Sequence, residues 1–204
     1  MNKIILLATL LTLMISCNST KIASSWKEPD KQVDLDKLNK ILVVALLKNE
    51  NSRYLAETEM VKFLDGKGFA SFDYLKASFN KSDENALREK IKNDGFDGAI
   101  TMRLIDVEKE RNYTLSNIGP NRWNPISFPN YYYRNWPGNQ ADGYFLTTKT
   151  FLVEIAIFSI LEDKIIWTSE TKTINPAGVE QMTKEISKVL YKRMVKEGFL
   201  KRKG

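Results

Sequence analysis

The chain has no histidine and only one cysteine among its 204 residues. Structural disulfides, Cys/His zinc sites, Ser-His and Cys-His catalytic pairs and imidazole acid-base chemistry are removed together. With six prolines and ten glycines, the composition excludes a collagen-like, coiled-coil or fully disordered chain. The longest apolar stretch, Ile4 to Ile15, covers twelve residues and is broken only by Thr9 and Thr12. As a helix it would reach about 18 Å, well short of a hydrocarbon core of about 30 Å. What remains, 43% hydrophobic, 27% charged and 11% aromatic, fits one ordinary globular domain. A domain of this size buries roughly 70% of the surface its unfolded chain exposes, so its core needs no metal or disulfide. The expectation is a protein without cofactor, metal site or catalytic residue, and so not an enzyme. Asp and Glu together number 25, which leaves a carboxylate-based hydrolase open as the alternative.

Met1-Asn2-Lys3 places one positive charge ahead of the apolar stretch, the layout of an export signal. The stretch ends in Leu13-Met14-Ile15-Ser16-Cys17, which resembles the lipobox of bacterial lipoproteins. That resemblance implies a signal peptide over 1–16, cleaved after Ser16. It also makes Cys17 the lipidation site, with diacylglycerol on the thiol and a further acyl chain such as palmitate on the new amino terminus. Three acyl chains at about 0.8 kcal/mol per buried methylene hold a protein to its membrane permanently. The other reading of Cys17 is a small buried thiol. Asn18 stands where an aspartate would retain such lipoproteins in the inner membrane, and no acidic run follows. The resemblance therefore implies an outer-membrane lipoprotein facing the periplasm.

Loss of residues 1–16 removes Lys3 alone from the charge count, so the mature 188 residues carry +5 rather than +6. An exported chain meets little nucleic acid, and none is expected as a partner. Lys192, Arg193, Lys196, Lys201, Arg202 and Lys203 form the densest basic group. They either meet anionic lipid or solvate a frayed end.

Along the chain, residues 17–39 read as a lipid-anchored tether and lead-in segment, polar from Asn18 to Ser25, and residues 40–204 as the globular domain. Lys40 to Leu47 is a continuous apolar run of strand length, the mark of a strand covered on both faces. Ala56, Met60, Phe63 and Leu64 recur at helical spacing between Ser52 and Asp65. Phe69 to Tyr74 fits a short strand. A helix capped by Ser82 runs to about Asn93 with Leu87 and Ile91 inward. Asp97-Gly98 then turns into a strand through Ile105, a site where a turn is expected and no phosphate loop. Tyr144 to Leu161 and Lys164 to Ile174 read as an antiparallel hairpin turning at Glu162-Asp163. Asn175-Pro176 precedes an amphipathic C-terminal helix whose apolar stripe is Val179, Met182, Ile186, Val189, Leu190 and Met194. The expected fold is single-domain α/β. Its mixed sheet, β-α-β-α-β and then a β-hairpin, is covered by helices including the C-terminal one.

Residues 112–143 show no period. They hold Tyr113, Trp123, Phe128, Tyr131, Tyr132, Tyr133 and Trp136, seven of the 22 aromatics, with four of the six prolines and only Arg122, Arg134 and Asp142 charged. Long loops of this kind are binding loops or disordered, and aromatic content opposes disorder. Tyr113, Trp123, Tyr131, Tyr132, Tyr133 and Trp136 are the binding candidates, since rings stack on sugars or anchor interfaces while their polar ends keep a hydrogen bond. Closure of the core by the same rings is the other reading.

Ser24-Ser25-Trp26-Lys27-Glu28-Pro29, the Lys40–Leu47 strand, Gly95-Phe96-Asp97-Gly98-Ala99-Ile100, the Tyr-rich segment, Lys164-Ile165-Ile166-Trp167-Thr168 and Asn175-Pro176 are similar to a family of uncharacterised bacterial cell-envelope lipoproteins. The element order resembles the small α/β domain of TolB-type and CsgG-type periplasmic proteins. The resemblance implies no catalytic residue. It implies a non-catalytic binding or accessory module held to the outer membrane, whose partner is an envelope protein or a glycan. A structural or assembly subunit is the further alternative.

Overall fold

The computed structural model describes residues 19–75, 84–115, 127–129, 132 and 143–201. Among these, six strands and four helices follow in chain order: β1 (Thr20–Lys27), a 3-10 turn (Leu35–Lys37), β2 (Ile41–Leu46), α1 (Glu50–Val61), a second 3-10 turn (Lys62–Leu64), β3 (Gly68–Ala70), α2 (Ser71–Tyr74), α3 (Glu84–Asn93), β4 (Gly98–Leu115), β5 (Gly143–Ser159), β6 (Lys164–Ile174) and α4 (Val179–Lys196). The strands form one open sheet in the order β1-β6-β5-β4-β2-β3. β3 and β4 run parallel to β2, while the β4, β5, β6 and β1 neighbours are antiparallel. This is the mixed α/β sheet expected.

The unbroken apolar run of β2 serves two faces. Val43 and Ala45 join the main core with Ala56 and Met60 of α1 and Met182, Ile186 and Leu190 of α4. Leu42 points the other way, to Phe96 and Ala99. Val153 and Ile155 of β5 and Trp167 of β6 complete the main core. α1 begins where the Asn49 side chain accepts from the Ser52 amide at 2.8 Å. On the second face no α3 residue is fully buried, and Ile91 packs only at the corner over β2 and β4. Over the antiparallel half this face carries Glu170, Lys172 and Trp26 into solvent, as an antiparallel sheet covered on one side does.

Where α1 and α4 meet, two small polar residues lie in the core. Ser187 Oγ donates to the Thr183 carbonyl at 2.9 Å, but buried Thr183 Oγ1 has no hydrogen-bond partner among the described residues. Thr183→Val keeps the shape and removes an unpaired hydroxyl, so it is expected to stabilise by about 1 kcal/mol. Thermal melting would register this as a rise of roughly 2–4 °C in Tm, and a fall would show that the hydroxyl is bonded in solution.

Several expectations are corrected. The segment read as a tether is strand from Thr20 onward, laid along β6 with a bulge between Ile22 and Ser24. Its inward positions are Thr20, Ile22, Ser25 and Lys27, and with one apolar residue among them and a bulge in the register there is no apolar alternation to read. The expected strand Phe69 to Tyr74 keeps strand form only through Ala70 and then turns into α2. There buried Glu57 draws in the Ser71 hydroxyl at 2.7 Å and the Phe72 amide at 2.9 Å. Phe63 is exposed in the 3-10 turn rather than inward on α1. Asn175-Pro176 does not cap α4. The helix starts from Gly178 without a side-chain cap, and the Gln181 side chain accepts from the Ala177 amide at 3.1 Å. Asn175, at φ +45°, closes the end of the β5–β6 ladder, its Oδ1 accepting from the Lys149 amide at 2.8 Å.

The C-terminus is not frayed as far as Lys201. Phe199 and Leu200 are buried, and the Val33 amide donates to the Phe199 carbonyl at 2.7 Å. Ser82 lies outside the described residues.

Candidate functional site

Two glutamates of the C-terminal helix region fix the N-terminal strand. Glu185 of α4 accepts from Ser19 Oγ and Thr20 Oγ1, both at 2.9 Å, and from Gln181 Nε2 at 3.0 Å. Just after the helix, Glu197 accepts from Ser25 Oγ at 2.6 Å, Trp167 Nε1 at 2.8 Å and Arg193 Nε at 2.7 Å. Burial pushes each carboxyl up, but the hydrogen bonds to the ionised form outweigh it and hold both below the usual glutamate range. A depressed carboxylate contributes stability that is present above its unfolded pKa of about 4.3 and is lost as pH falls through the folded value. β1 is therefore expected to lose amide protection below about pH 4 before the central strands do, as followed by hydrogen exchange. Unchanged β1 protection at acid pH would oppose this account.

The strand directions decide what lies near the amino terminus. Thr20 pairs with Thr173, and Thr173 in turn with Phe151. The Ile174 amide donates to the Ser19 carbonyl at 3.1 Å, and the Asn175 amide to the Lys149 carbonyl at 2.8 Å. The start of β1 thus lies at the end of the sheet from which β4 and β5 project. β2 stops pairing at Arg103, and β6 stops at Thr150. Beyond both, seven cross-strand pairs from Lys109–Lys149 to Leu115–Gly143 form a two-stranded arm. The segment read as loop from Asn112 to Gly143 is therefore strand at both ends, because the ladder propagates past the sheet.

Of the sequence-derived candidates, Tyr113 lies on β4 opposite Phe145. Tyr132 is exposed, with its ring 6.0 Å from that of Phe128, which is 76% exposed. Cys17, Asn18, Trp123, Tyr131, Tyr133, Trp136 and the Tyr113 side chain lie outside the described residues. Among the described residues no helix is long and apolar enough to cross a membrane, and no His/Cys/Asp/Glu group could hold a metal ion.

No family model matches the chain, and no curated protein matches it. The chain is similar in arrangement to solved structures. One is the PelC dodecamer from Paraburkholderia phytofirmans, with 8% identity over 84% of this chain and 94% of that one and a TM-score of 0.43. Another is lipoprotein GNA1162 from Neisseria meningitidis, with 8% identity over 77% of this chain and 98% of that one and a TM-score of 0.38.

At the opposite end of the sheet lies a cavity of about 420 Å³ that sequence reading missed. Ile41, Ile155, Ile157, Leu190 and Met194 line it, and Val33 and Leu200, joined by a single bridge, help close it. These residues come from distant parts of the chain, and no local pattern marks them. Its rim carboxylates serve the backbone and neighbouring lysine. Asp97 accepts from the Asn39 amide and from the Lys40 amide at 3.0 Å, which ties the start of β4 to the start of β2 instead of closing the local turn expected at Asp97-Gly98. Asp34 caps the 3-10 turn at the Asp36 amide and meets Lys201 Nζ at 3.3 Å.

Proposed function

We propose that the chain is a non-catalytic lipoprotein of the bacterial cell envelope. On this reading Cys17 holds it to the outer membrane on the periplasmic side, and the arm with the aromatic segment acts as a binding or accessory surface. The observation that carries the reading is the fixing of Ser19, two residues after Cys17, to β6 and α4. An anchor attached there is coupled to a rigid sheet, so the domain has a set orientation on its membrane. The carboxylates Glu57, Glu185 and Glu197 are each engaged by at least three donors that hold the fold, which favours a structural role for them over acid-base work. The reading implies no cofactor and no nucleic acid, and a partner that is an envelope protein or a glycan.

Cys17→Ser is the direct test. Wild-type protein is expected to incorporate labelled palmitate and to fractionate with the outer membrane. The variant is expected to lose the label and to retain its leader. An unmodified thiol with the leader still attached in the wild type would overturn the proposal.

A further inference from the structure

Resting on the lipoprotein reading, we infer that the β4–β5 arm lies on the same leaflet that holds the anchor, its basic residues on anionic phospholipid headgroups and its apolar end dipped below them. Three observations converge on it.

The first is position. Ser19 is bonded level with Ile174, which pairs with Thr150 at the foot of the arm. Cys17 is two residues away and can lie no more than about 7 Å from that level. The arm continues seven residue pairs past Thr150, about 24 Å at roughly 3.4 Å per residue. An acylated Cys17 therefore brings the foot of the arm to the lipid surface, and the arm has nowhere to go but along or into that surface.

The second is charge. Lys109 and Lys149 face each other directly across the ladder, and Arg111, two residues on, points to the same side. Like charges opposite each other destabilise a strand pair unless something neutralises them. All three are exposed, and none has a carboxylate partner among the described residues. Phosphate groups at the membrane surface would supply the missing anions.

The third is the gradient along the arm. Charged Glu108, Lys109, Glu110, Arg111 and Lys149 occupy its foot, and farther out Leu146 lies opposite Asn112, with Phe145 opposite Tyr113. Phe145 is 67% exposed and Leu146 51%. On the face of Lys109, Lys149 and Arg111 the basic residues are followed by Phe145, matching the succession of headgroups and upper acyl chain, while Leu146 lies beyond Glu108 and Glu110 on the other face. A two-stranded ribbon cannot bury its open edges in hydrocarbon, so the arm rests in the interfacial layer rather than crossing the membrane.

The test uses the acylated protein in phosphatidylglycerol vesicles, with Leu146→Cys carrying a polarity-sensitive fluorophore. Cys17, the only native thiol, is capped by its lipid. A matching label at exposed Lys188 of α4 serves as the control. The label at 146 is expected to shift to the blue and to be quenched by brominated lipid, while that at 188 is not. In parallel, the mature chain with Cys17→Ser is expected to sediment with phosphatidylglycerol but not phosphatidylcholine vesicles. Lys109→Gln with Arg111→Gln and Lys149→Gln should weaken that binding about 100-fold without lowering Tm.

A label at 146 that stays in water on a protein shown to float with vesicles overturns this inference and leaves the anchor reading standing. A label already buried in vesicle-free solution, at the mass of an oligomer, overturns it in favour of a second copy of the chain on the arm. A protein that fails to float and carries a free Cys17 thiol overturns both readings.

Discussion

Glu57→Ala is expected to destabilise the domain by about 3–5 kcal/mol, a large share of the 5–15 kcal/mol typical of a native protein. The side chain is fully buried and gathers three elements. Its Oε1 accepts from the Ala45 amide of β2 at 2.9 Å, from Arg53 Nε of α1 at 3.0 Å and from Ser71 Oγ at the start of α2 at 2.7 Å. Its Oε2 accepts from the Phe72 amide at 2.9 Å. Truncation leaves two amides and a hydroxyl without acceptors and strips a half-buried guanidinium of its counter-charge. Glu57→Gln keeps the volume but turns one acceptor into a donor facing donors, at a cost of about 1–3 kcal/mol. Urea denaturation of the two variants would check both values. A change under about 1 kcal/mol in Glu57→Ala would mean that water replaces the carboxylate.

The second large effect is expected at Trp167, which is fully buried and stacks on Phe199 with ring centroids 6.2 Å apart. Trp167→Ala should cost about 3–5 kcal/mol by opening a cavity between β6 and the end of the chain. Trp167→Phe refills most of that space but leaves Glu197 without its 2.8 Å indole donor, at about 1–3 kcal/mol. The two variants separate packing from hydrogen bonding. Both should also raise hydrogen exchange in β1, because Glu197 holds Ser25. If β1 protection stays unchanged, the glutamate holds the strand without help from the indole.

What could be read in advance followed the density of apolar signal. β2 and α4 were legible because runs such as Ile41 to Leu46, and the Met182, Ile186 and Leu190 stripe, leave no other way to bury their surface. β1 was not, since Thr20 and Ser25 are held by carboxylates more than 160 residues away. Glu57 and Glu185 read as ordinary surface charges on helices for the same reason: most of their donors come from other elements. The arm was half legible. Its aromatic content stood out, but strand pairing as far as Leu115 and Gly143 depends on two stretches finding each other across a gap that has no period. The cavity gave no signal, being lined by residues from nearly every part of the chain.

The pairing of β1 with β6 also sets an order of events. Thr20 meets Thr173, and Val33 meets Leu200, so the first strand has no partner until nearly the last residue has left the ribosome. Contacts of such long sequence separation form late and slowly. β1 thus stays unpaired throughout synthesis, and the sheet closes only when the whole polypeptide is available.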